Sequence, residues 1–587
     1  MRDRALTGVR DFGRGDAVWV GGAALLAAFA GDLVGNPSML RVLLAAVLLL
    51  VVVVAGMRAP RPLLVALPLW LMPLALIRRL LTGISSGGQM DPLLLVGPLA
   101  LIVLTVAAFD RGAGRRPTLL SRLVLIYTGL VVLGAVNPLQ GSLKAGVTSL
   151  IFFVPLLAFW VGRGLVDDKL LRKVLILIGV LGIPAALYGL NQTFGSFPSW
   201  DKNWIAAQGY TALNVSGAIR PFSTFSNAAE YATFLSIAMV AWLRLGPKRW
   251  ARPIGLAVVA LLAVATFFEA SRSPIVMLVG SLAVMVAAAR RFPLWAAALL
   301  GALLLIAIPA TVAAIAPSAT GTQQTSADAT ATSTLTQHQV QGLSNPFDSS
   351  SSTAGFHIKL VITGVESAFT HPAGYGISSV TIAGAKFGGT NANTEADPSN
   401  AGTALGLPGL VVFLLIFGSG FGSAYKLARR GEPLAGVAVG ILTVTIFQWL
   451  NGGQYSVVFL PWLLLGWVDR KLLGEEEPER APLEEEQPAP APVRPAPRLR
   501  RLPRPSTLWQ PARTPPPAEE QRAPARIPPR RWHIERLEAL AGIGEEQRLV
   551  LLYLRSFAGA DGWLDIHWDS LVRLEFGPLL AGYDYGP

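Results

Sequence analysis

Cysteine is absent from the 587-residue sequence, and this absence excludes several kinds of chemistry. Disulfide bonds, thiolate metal sites and thiol nucleophiles all need that residue. Histidine is rare, since only 5 are present, and they form neither an HExxH pattern nor close pairs. We therefore expect no metal site, and carboxylates, arginines, histidine and hydroxyls remain as the groups that could carry a reaction.

Charge is also scarce. Asp, Glu, Lys and Arg make up 14% of the residues, whereas about 25% is typical of a soluble domain. Hydrophobic residues make up 52% of the chain, which predicts a multi-pass membrane protein. The net charge of +13 does not indicate a nucleic-acid partner, because the basic residues stand mainly in short clusters beside apolar segments.

The apolar segments predict an all-α, polytopic transmembrane helix bundle. A spanning helix needs about 20 largely apolar residues, and fourteen segments between residues 17 and 470 approach that length. Several are short or interrupted by glycine and proline, so some could be re-entrant or merged. We expect about 12 to 14 spans and contact with membrane lipids.

Short basic loops predict the orientation, because cytoplasmic loops retain Lys and Arg. Every second predicted loop is basic, namely 57–61, 110–116, 162–173, 247–252, 290–291, 425–430 and 469–471. Arg78 and Arg79 are the exception, since the alternation places them outside. Both termini are then cytoplasmic, and the long loops 191–227 and 317–403 are external.

Composition divides the chain into three parts. Residues 1–473 form the predicted membrane domain. Residues 474–531 are rich in Pro, Glu and Arg, which is typical of a disordered cytoplasmic linker. Residues 532–587 have helical apolar spacing and predict a small helical segment that could dock a cytoplasmic partner.

The second long loop also changes character along its length. Residues 317–354 are dominated by Ser, Thr, Ala and Gln, which suggests a flexible insertion. From Gly355 onward, apolar residues at helical spacing predict an amphipathic helix on the membrane surface. This helix ends at HPAGYG, a turn rich in helix breakers. The external loop is therefore expected to be partly helical.

A first candidate site residue lies in the stretch IRPFSTFSN, residues 219–227. Arg220 precedes a proline and a run of small polar residues at the external end of an apolar segment. A guanidinium fork and a helix N-terminus both suit phosphate oxygens. The alternative is an interfacial arginine whose side chain reaches lipid headgroups.

A second candidate lies in FFEASRSPIVML, residues 267–278. Arg272 occupies a short turn that is predicted to be external. The tendency of basic residues to lie in cytoplasmic loops does not explain an arginine there. Two arginines on one face could clamp a diphosphate and stabilise its charge as it departs. The alternative is that Arg272 pairs with Glu269 or with lipid.

The order of these motifs resembles the O-antigen ligase and polymerase family. The resemblance is carried by RPFSTFSN, SRSP, a long external loop containing HPAGYG, and a polar cluster before GLPGLVVFL. It covers residues 256–418 most closely, with Arg220 upstream. It implies an inverting glycosyltransferase of the bacterial inner membrane that needs no metal or other cofactor. The donor would be an undecaprenyl-diphosphate-linked glycan, and the acceptor lipid A core or another lipid-linked repeat unit.

By this resemblance, Arg220 and Arg272 hold the diphosphate, and a base in the second loop deprotonates the acceptor hydroxyl. Ligases carry a histidine just before the GLPG-like helix, whereas this sequence has NTEADPSN there. Asp397 and Glu395 are the natural replacements, and His371 of the HPAGYG turn is a third candidate base. The acids could equally be solvated, and the turn could be architectural. The missing histidine favours a polymerase, or another polysaccharide-transferring member of the family, over a lipid A ligase.

The first external loop carries aromatic residues as well. Trp200, Trp204 and Tyr210 could stack on sugar faces, or could form an interfacial aromatic belt. Two other functions stay open at this point. A transporter or flippase would use the same helices but needs polar groups at mid-membrane, and a scaffold would leave the external loops without converging arginines.

Overall fold

The computed structural model describes residues 39–81, 91–208, 214–215, 217–245, 252–315, 331–345, 354–389, 392–394, 396–475, 530–533 and 563–566. The chain divides into two compact units, residues 1–485 and residues 486–587.

Helices form most of the first unit. Its first part contains α1 (Met39–Arg58), α2 (Pro60–Leu71), α3 (Leu74–Leu80), α4 (Val96–Asp110), α5 (Leu119–Gly134), α6 (Leu143–Ser149), α7 (Ala158–Leu165), α8 (Asp168–Phe194) and α9 (Ser199–Gln208). A short antiparallel hairpin of β1 (Asn214–Val215) and β2 (Ala218–Ile219) follows. The remaining helices are α10 (Ala228–Leu245), α11 (Arg252–Phe268), α12 (Ser273–Ala289), α13 (Leu294–Ile315), α14 (Ala331–Ser344), α15 (Ala354–Thr370), α16 (Ile382–Lys386), α17 (Asp397–Arg429), α18 (Pro433–Thr445) and α19 (Phe459–Glu475).

Several of these helices are long and apolar enough to cross a membrane. Within the described residues, 5 pass by length and composition, in α1, α4 with the turn before it, α8, α10 and α17. The count reaches 7 if two bent helix pairs are single spans, one of them α2 with α3 at a 53° break. Shorter apolar segments occur in α5, α11, α12, α13 and α18. A helical fold with several helices that could span a membrane is confirmed, and 12 to 14 spans stays a prediction.

Small residues let two core helices approach each other closely. A Cβ atom added at Gly162 of α7 would lie 2.1 Å from the Leu463 carbonyl oxygen of α19. A Cβ at Gly466 would lie 1.9 Å from the Phe159 carbonyl oxygen. Backbone contact of this kind is characteristic of helix packing in membranes, where dispersion replaces the hydrophobic effect as the driving force. The two glycines therefore set the distance between α7 and α19.

Predicted basic loops meet at one end of the helix bundle. Arg61 forms an ion pair with Asp167 at 3.2 Å, which joins the first and third basic loops. Arg163 forms an ion pair with Asp469 at 3.1 Å and donates to the Arg116 carbonyl oxygen. The first, second, third and last basic loops therefore share one end, as the alternation requires. The compartment that this end faces stays a prediction.

Arg78 and Arg79, the exceptions to the basic-loop pattern, contact the first long loop. Arg79 is buried, forms an ion pair with Asp201 of α9 at 3.1 Å, and donates to the Phe225 carbonyl oxygen at 2.9 Å. Arg78 forms an ion pair with Asp91 at 2.9 Å, and its Cζ atom lies 5.4 Å from the centre of the Trp204 ring in that loop. Both side chains therefore act as structural cations within the fold, which explains why they break the charge pattern.

Part of the stretch predicted as a flexible insertion is helical. Helix α14 occupies residues within 317–354, and its Leu335, Val340 and Leu343 are buried. These apolar positions are spaced for one helical face, and the surrounding Ser, Thr and Gln residues obscured that spacing. The prediction of a flexible insertion is therefore wrong for the residues of α14.

The amphipathic helix predicted after Gly355 corresponds to α15. Its face toward α17 contains the small buried residues Gly364 and Ala368. Its apolar residues point away from the protein, since Ile358 is 49% exposed and Phe369 is 63% exposed. Contact of this apolar face with a membrane surface stays a prediction.

The HPAGYG turn packs against a kink in α17. Gly406 has φ +67° and interrupts the helical backbone, and a Cβ there would lie 1.8 Å from the Pro372 carbonyl oxygen. Leu407 donates its N–H to the same oxygen at 3.2 Å, and Gly376 donates to the Ala404 carbonyl oxygen at 2.9 Å. The turn therefore has an architectural role, because its backbone satisfies the groups that the kink exposes.

The described part of the second unit is a pair of strands. Strands β3 (Arg530–His533) and β4 (Trp563–Ile566) pair antiparallel, with Arg530 opposite Ile566. A purely helical segment over 532–587 is therefore a wrong prediction at these strands. The rest of that segment and most of the predicted linker lie outside the described residues.

Candidate functional site

The structure brings Arg220 and Arg272 together. The Arg220 NH2 atom lies 3.4 Å from Nε2 of His338, and the Arg272 NH2 atom lies 3.2 Å from the same nitrogen. Arg272 also donates to the His338 carbonyl oxygen at 3.0 Å. Two guanidinium groups from separate parts of the sequence therefore share one imidazole. We call these three residues, with Glu269 and Ser271 beside them, the arginine site.

Local turns position the two arginines. Arg220 follows the β1–β2 hairpin, whose turn contains Gly217 at φ +87°, and Asn214 Oδ1 accepts a hydrogen bond from the Gly217 N–H at 2.8 Å. Arg272 lies between α11 and α12, after Ala270 at φ +61° and before a proline that starts α12. Both arginines thus lie at helix or strand ends, outside the apolar helices.

Helix α14 covers Arg272 from the second long loop. His338 and Gly342 are four residues apart and so share one face of the helix. A Cβ at Gly342 would lie 1.7 Å from Arg272 Cζ, so the guanidinium lies directly on the helix backbone. Gln339 adds a hydrogen bond from its Nε2 to the Ser271 carbonyl oxygen at 3.2 Å. The glycine therefore leaves the space in which the arginine fits.

A buried carboxyl group lies behind Arg220. Glu269 is 0% exposed and accepts hydrogen bonds from the Ser271 N–H at 2.9 Å and the Ser271 hydroxyl at 2.6 Å. Arg220 in turn donates to the Ser271 hydroxyl oxygen at 3.5 Å. Ser271 therefore connects the carboxyl group with the first arginine, and two hydrogen bonds hold Glu269 in place.

Burial and mutual repulsion shape the charges of the arginine site. Burial, followed by the Arg220 charge, lowers the pKa of Arg272 to about 10. Burial and the two arginines lower the pKa of His338 to about 4, so the imidazole is neutral at neutral pH. Burial raises the pKa of Glu269 to about 7, although Arg220 and the Ser271 hydrogen bonds oppose that shift. The site therefore carries a net positive charge whether or not Glu269 is ionised.

This arrangement has hydrogen-bonding capacity for an anion. Guanidinium groups only donate, so the nitrogen that they share must accept, and a neutral imidazole nitrogen is a weaker acceptor than a charged oxygen. The Nε atom of Arg220 is buried and has no hydrogen-bond partner among the described residues. A multi-oxygen anion would use these donors more fully than His338 does.

The candidate bases take separate positions. Asp397 is buried, with 7% exposure, at the start of α17, and its backbone N–H donates to the Gln448 carbonyl oxygen at 3.0 Å. His371 is exposed in the HPAGYG turn, and its Nδ1 lies 2.9 Å from the Tyr375 hydroxyl oxygen. Glu395 lies outside the described residues. The described geometry therefore assigns no base.

The aromatic candidates differ in their surroundings. Trp200 is 36% exposed, and its Nε1 donates to the Tyr188 hydroxyl oxygen at 3.0 Å. Trp204 is 4% exposed and packs in a small core with Phe222 and Ala228, so its contribution in this conformation is packing. Tyr210 lies outside the described residues. Of Trp200 and Trp204, Trp200 is therefore the one whose ring surface could meet a sugar.

His338 and Gly342 are the site residues that sequence reasoning missed. His338 is one of only 5 histidines, but it stands in a stretch interpreted as flexible. The apolar spacing at Leu335, Val340 and Leu343 was the signal that could have placed it on an ordered helix. Recognition of that helix would have put a histidine among the external candidates.

Within the described ranges, no group of three or more His, Asp or Glu side chains is arranged to hold a metal ion. Comparison of the sequence with models of known protein families finds no match, and comparison with curated proteins finds none either. The arginine site and the apolar helices beside it are therefore the features of the chain that bear on its function.

Proposed function

We propose that the chain is a membrane glycosyltransferase of the O-antigen ligase and polymerase type. It transfers or polymerises glycan from a polyprenyl-diphosphate-linked donor to a hydroxyl acceptor at the external face of the bacterial inner membrane. The observation that carries this proposal is the convergence of Arg220 and Arg272 on one acceptor nitrogen, at 3.4 and 3.2 Å.

A diphosphate suits the two arginines better than a single carboxylate or phosphate does. Each guanidinium presents a planar fork of donors that matches two oxygens, so a pair of forks matches the oxygens of two linked phosphates. The net positive charge of the site also matches the charge of a diphosphate. Two guanidinium forks that meet at one nitrogen therefore favour a diphosphate as the bound group.

The membrane setting supports a lipid-linked donor. Arg272 lies in the turn between the apolar helices α11 and α12, and Arg220 lies shortly before the span α10. The diphosphate of a polyprenyl donor lies where its apolar chain leaves the bilayer, which is the level of such helix ends. A water-soluble nucleotide sugar would not need this position.

In the proposed reaction, the acceptor hydroxyl oxygen forms a bond to the anomeric carbon of the donor sugar. The bond from that carbon to the diphosphate oxygen breaks, and the diphosphate leaves with the electron pair. The hydroxyl proton passes to a base. Arg220 and Arg272 stabilise the charge that develops on the departing oxygen, and positioning of both substrates lowers the entropic part of the barrier.

Following the family resemblance, we propose Asp397 as the base, with Glu395 and His371 as alternatives. In-line displacement with inversion places the base across the sugar from the diphosphate, so the base need not touch the arginines. Asp397 is buried, with 7% exposure, at the start of α17. No observation in the described residues favours a transporter, a flippase or a scaffold over this function.

Substitution of the two arginines tests the proposal. We expect Arg220→Ala and Arg272→Ala each to reduce glycan transfer in a reconstituted membrane assay by about 10²-fold or more, because each removes a charged donor to the leaving group. Arg61→Ala is the matched control, since Arg61 is 54% exposed and pairs with Asp167 at the other end of the bundle. Transfer retained by either variant at the control level would refute the diphosphate role.

A further inference from the structure

His338 lies between Arg220 and Arg272, the two cations that hold the diphosphate in the proposed function. We propose that His338 is a third diphosphate ligand and that its imidazole takes up a proton when the diphosphate binds. This inference rests on the proposed function, since it concerns the same site.

The contacts of His338 define which imidazole nitrogen accepts hydrogen bonds. Its Nε2 atom lies 3.4 Å from Arg220 NH2 and 3.2 Å from Arg272 NH2. Because both guanidinium groups can only donate, Nε2 has to present its lone pair, and the ring proton is on Nδ1. Nε2 therefore stands at the point where two cationic donors converge, which is the point that a phosphate oxygen would also approach.

The charges around the imidazole determine its protonation. The groups that face it are Arg272 from the α11–α12 turn and Arg220 from the end of β2, with Glu269 behind Arg220. Burial and these two cations lower the pKa of His338 to about 4. A diphosphate brings negative charge to the same donors, which removes the repulsion that opposes protonation. A protonated Nε2–H can then donate to a phosphate oxygen as the third ligand.

The direction in which the acceptor displaces the diphosphate in the proposed reaction indicates the role of His338. His338 contacts the arginines that hold the diphosphate, so it lies on the side of the leaving group. The base that deprotonates the acceptor hydroxyl lies on the opposite side of the sugar in an inverting reaction. His338 therefore stabilises the departing diphosphate and does not activate the acceptor.

The fold holds His338 in this position. Its helix α14 contacts Arg272 through the Gly342 backbone and hydrogen-bonds the Ser271 carbonyl oxygen through Gln339 at 3.2 Å. The helix is also anchored by its own buried apolar side chains, which are Leu335, Val340 and Leu343. The imidazole is thus presented by an element with its own packing, as a rigid binding residue requires.

Calorimetry on the full chain in lipid nanodiscs tests the inference. Inorganic pyrophosphate is titrated at neutral pH in two buffers of different ionisation enthalpy, which reports the protons taken up per anion bound. We expect the wild type to take up about one proton more than His338→Gln, whose amide hydrogen-bonds but does not titrate. Proton exchange by pyrophosphate itself is common to both proteins and cancels. His357→Gln, a histidine of α15, should match the wild type.

Two other outcomes distinguish a failure of the His338 inference from a failure of the proposed function. Equal proton uptake by the wild type and His338→Gln, with pyrophosphate bound by both, would overturn the role of His338 and leave the proposed function intact. Absence of pyrophosphate binding in the wild type, or binding that survives Arg220→Ala with Arg272→Ala, would overturn both. Circular dichroism and gel filtration check each fold, and His338→Asn replaces the glutamine variant if that one does not fold.

Discussion

The substitution Gly342→Ala should displace the Arg272 side chain without destabilising the fold. The added Cβ would lie 1.7 Å from Arg272 Cζ, whereas ordinary contact begins at 3.4 Å, so the guanidinium carbon has to retreat by about 1.7 Å. The clashing atom is the end of a flexible side chain, so the helix can keep its place while the arginine moves. Such a movement removes the hydrogen bonds of Arg272 to His338, at 3.2 and 3.0 Å.

Two effects of opposite direction follow from this displacement. Misplacement of a binding group by about 1 Å can reduce catalysis about 10²-fold, and we expect a loss of this order in glycan transfer and a clear loss of pyrophosphate affinity. Alanine inside a helix is more favourable than glycine by about 0.5–1 kcal/mol, so thermal stability should be unchanged or slightly higher. Loss of function without loss of stability is thus the expected signature.

The assays are calorimetric titration with pyrophosphate, glycan transfer and thermal unfolding, all on the full chain in nanodiscs. Gly129→Ala is the matched control, because Gly129 lies inside α5 with nothing within 4 Å of its added Cβ. It should show the helix-propensity effect alone. Wild-type affinity and transfer in Gly342→Ala would refute the idea that contact with α14 positions Arg272.

Two further predictions concern buried charges. Arg79→Ala leaves Asp201 buried without its cation, and we expect thermal or denaturant unfolding to show a loss of about 3–5 kcal/mol. Arg61→Ala should change stability by less than about 1 kcal/mol, and a similar loss in both would contradict this reasoning. Glu269→Gln should weaken the pH dependence of pyrophosphate affinity. Because the pKa of Glu269 is about 7, its ionisation above that pH cancels positive charge and lowers wild-type affinity, roughly tenfold, whereas the amide stays neutral. Parallel affinity curves across that pH range would exclude this role.

Helical membrane character was predictable because it depends on the length and composition of continuous segments. A candidate span such as α1 needs only apolar residues in sequence, and an uninterrupted helix of this kind satisfies its own backbone hydrogen bonds. The helix after Gly355 and its ending at HPAGYG were predictable for the same local reason. Helix α14 was missed because polar composition was weighed above the spacing of three buried apolar residues.

The arginine site was predictable only in part. Residue type, neighbouring prolines and expected sidedness were enough to select Arg220 and Arg272 as candidates. Their contact with His338 joins residues that are 118 and 66 positions apart, and no local pattern specifies such a contact. The pairing of Arg79 with Asp201 was hidden for the same reason.

The sequence by itself thus determined that the chain forms apolar helices and that two arginines stand at helix or strand ends. Tertiary structure alone decided that these arginines share one imidazole and that a glycine gives one of them its space. The physical reason is that hydrophobic length acts along the chain, whereas convergence of charges and close packing depend on how distant segments fold against each other.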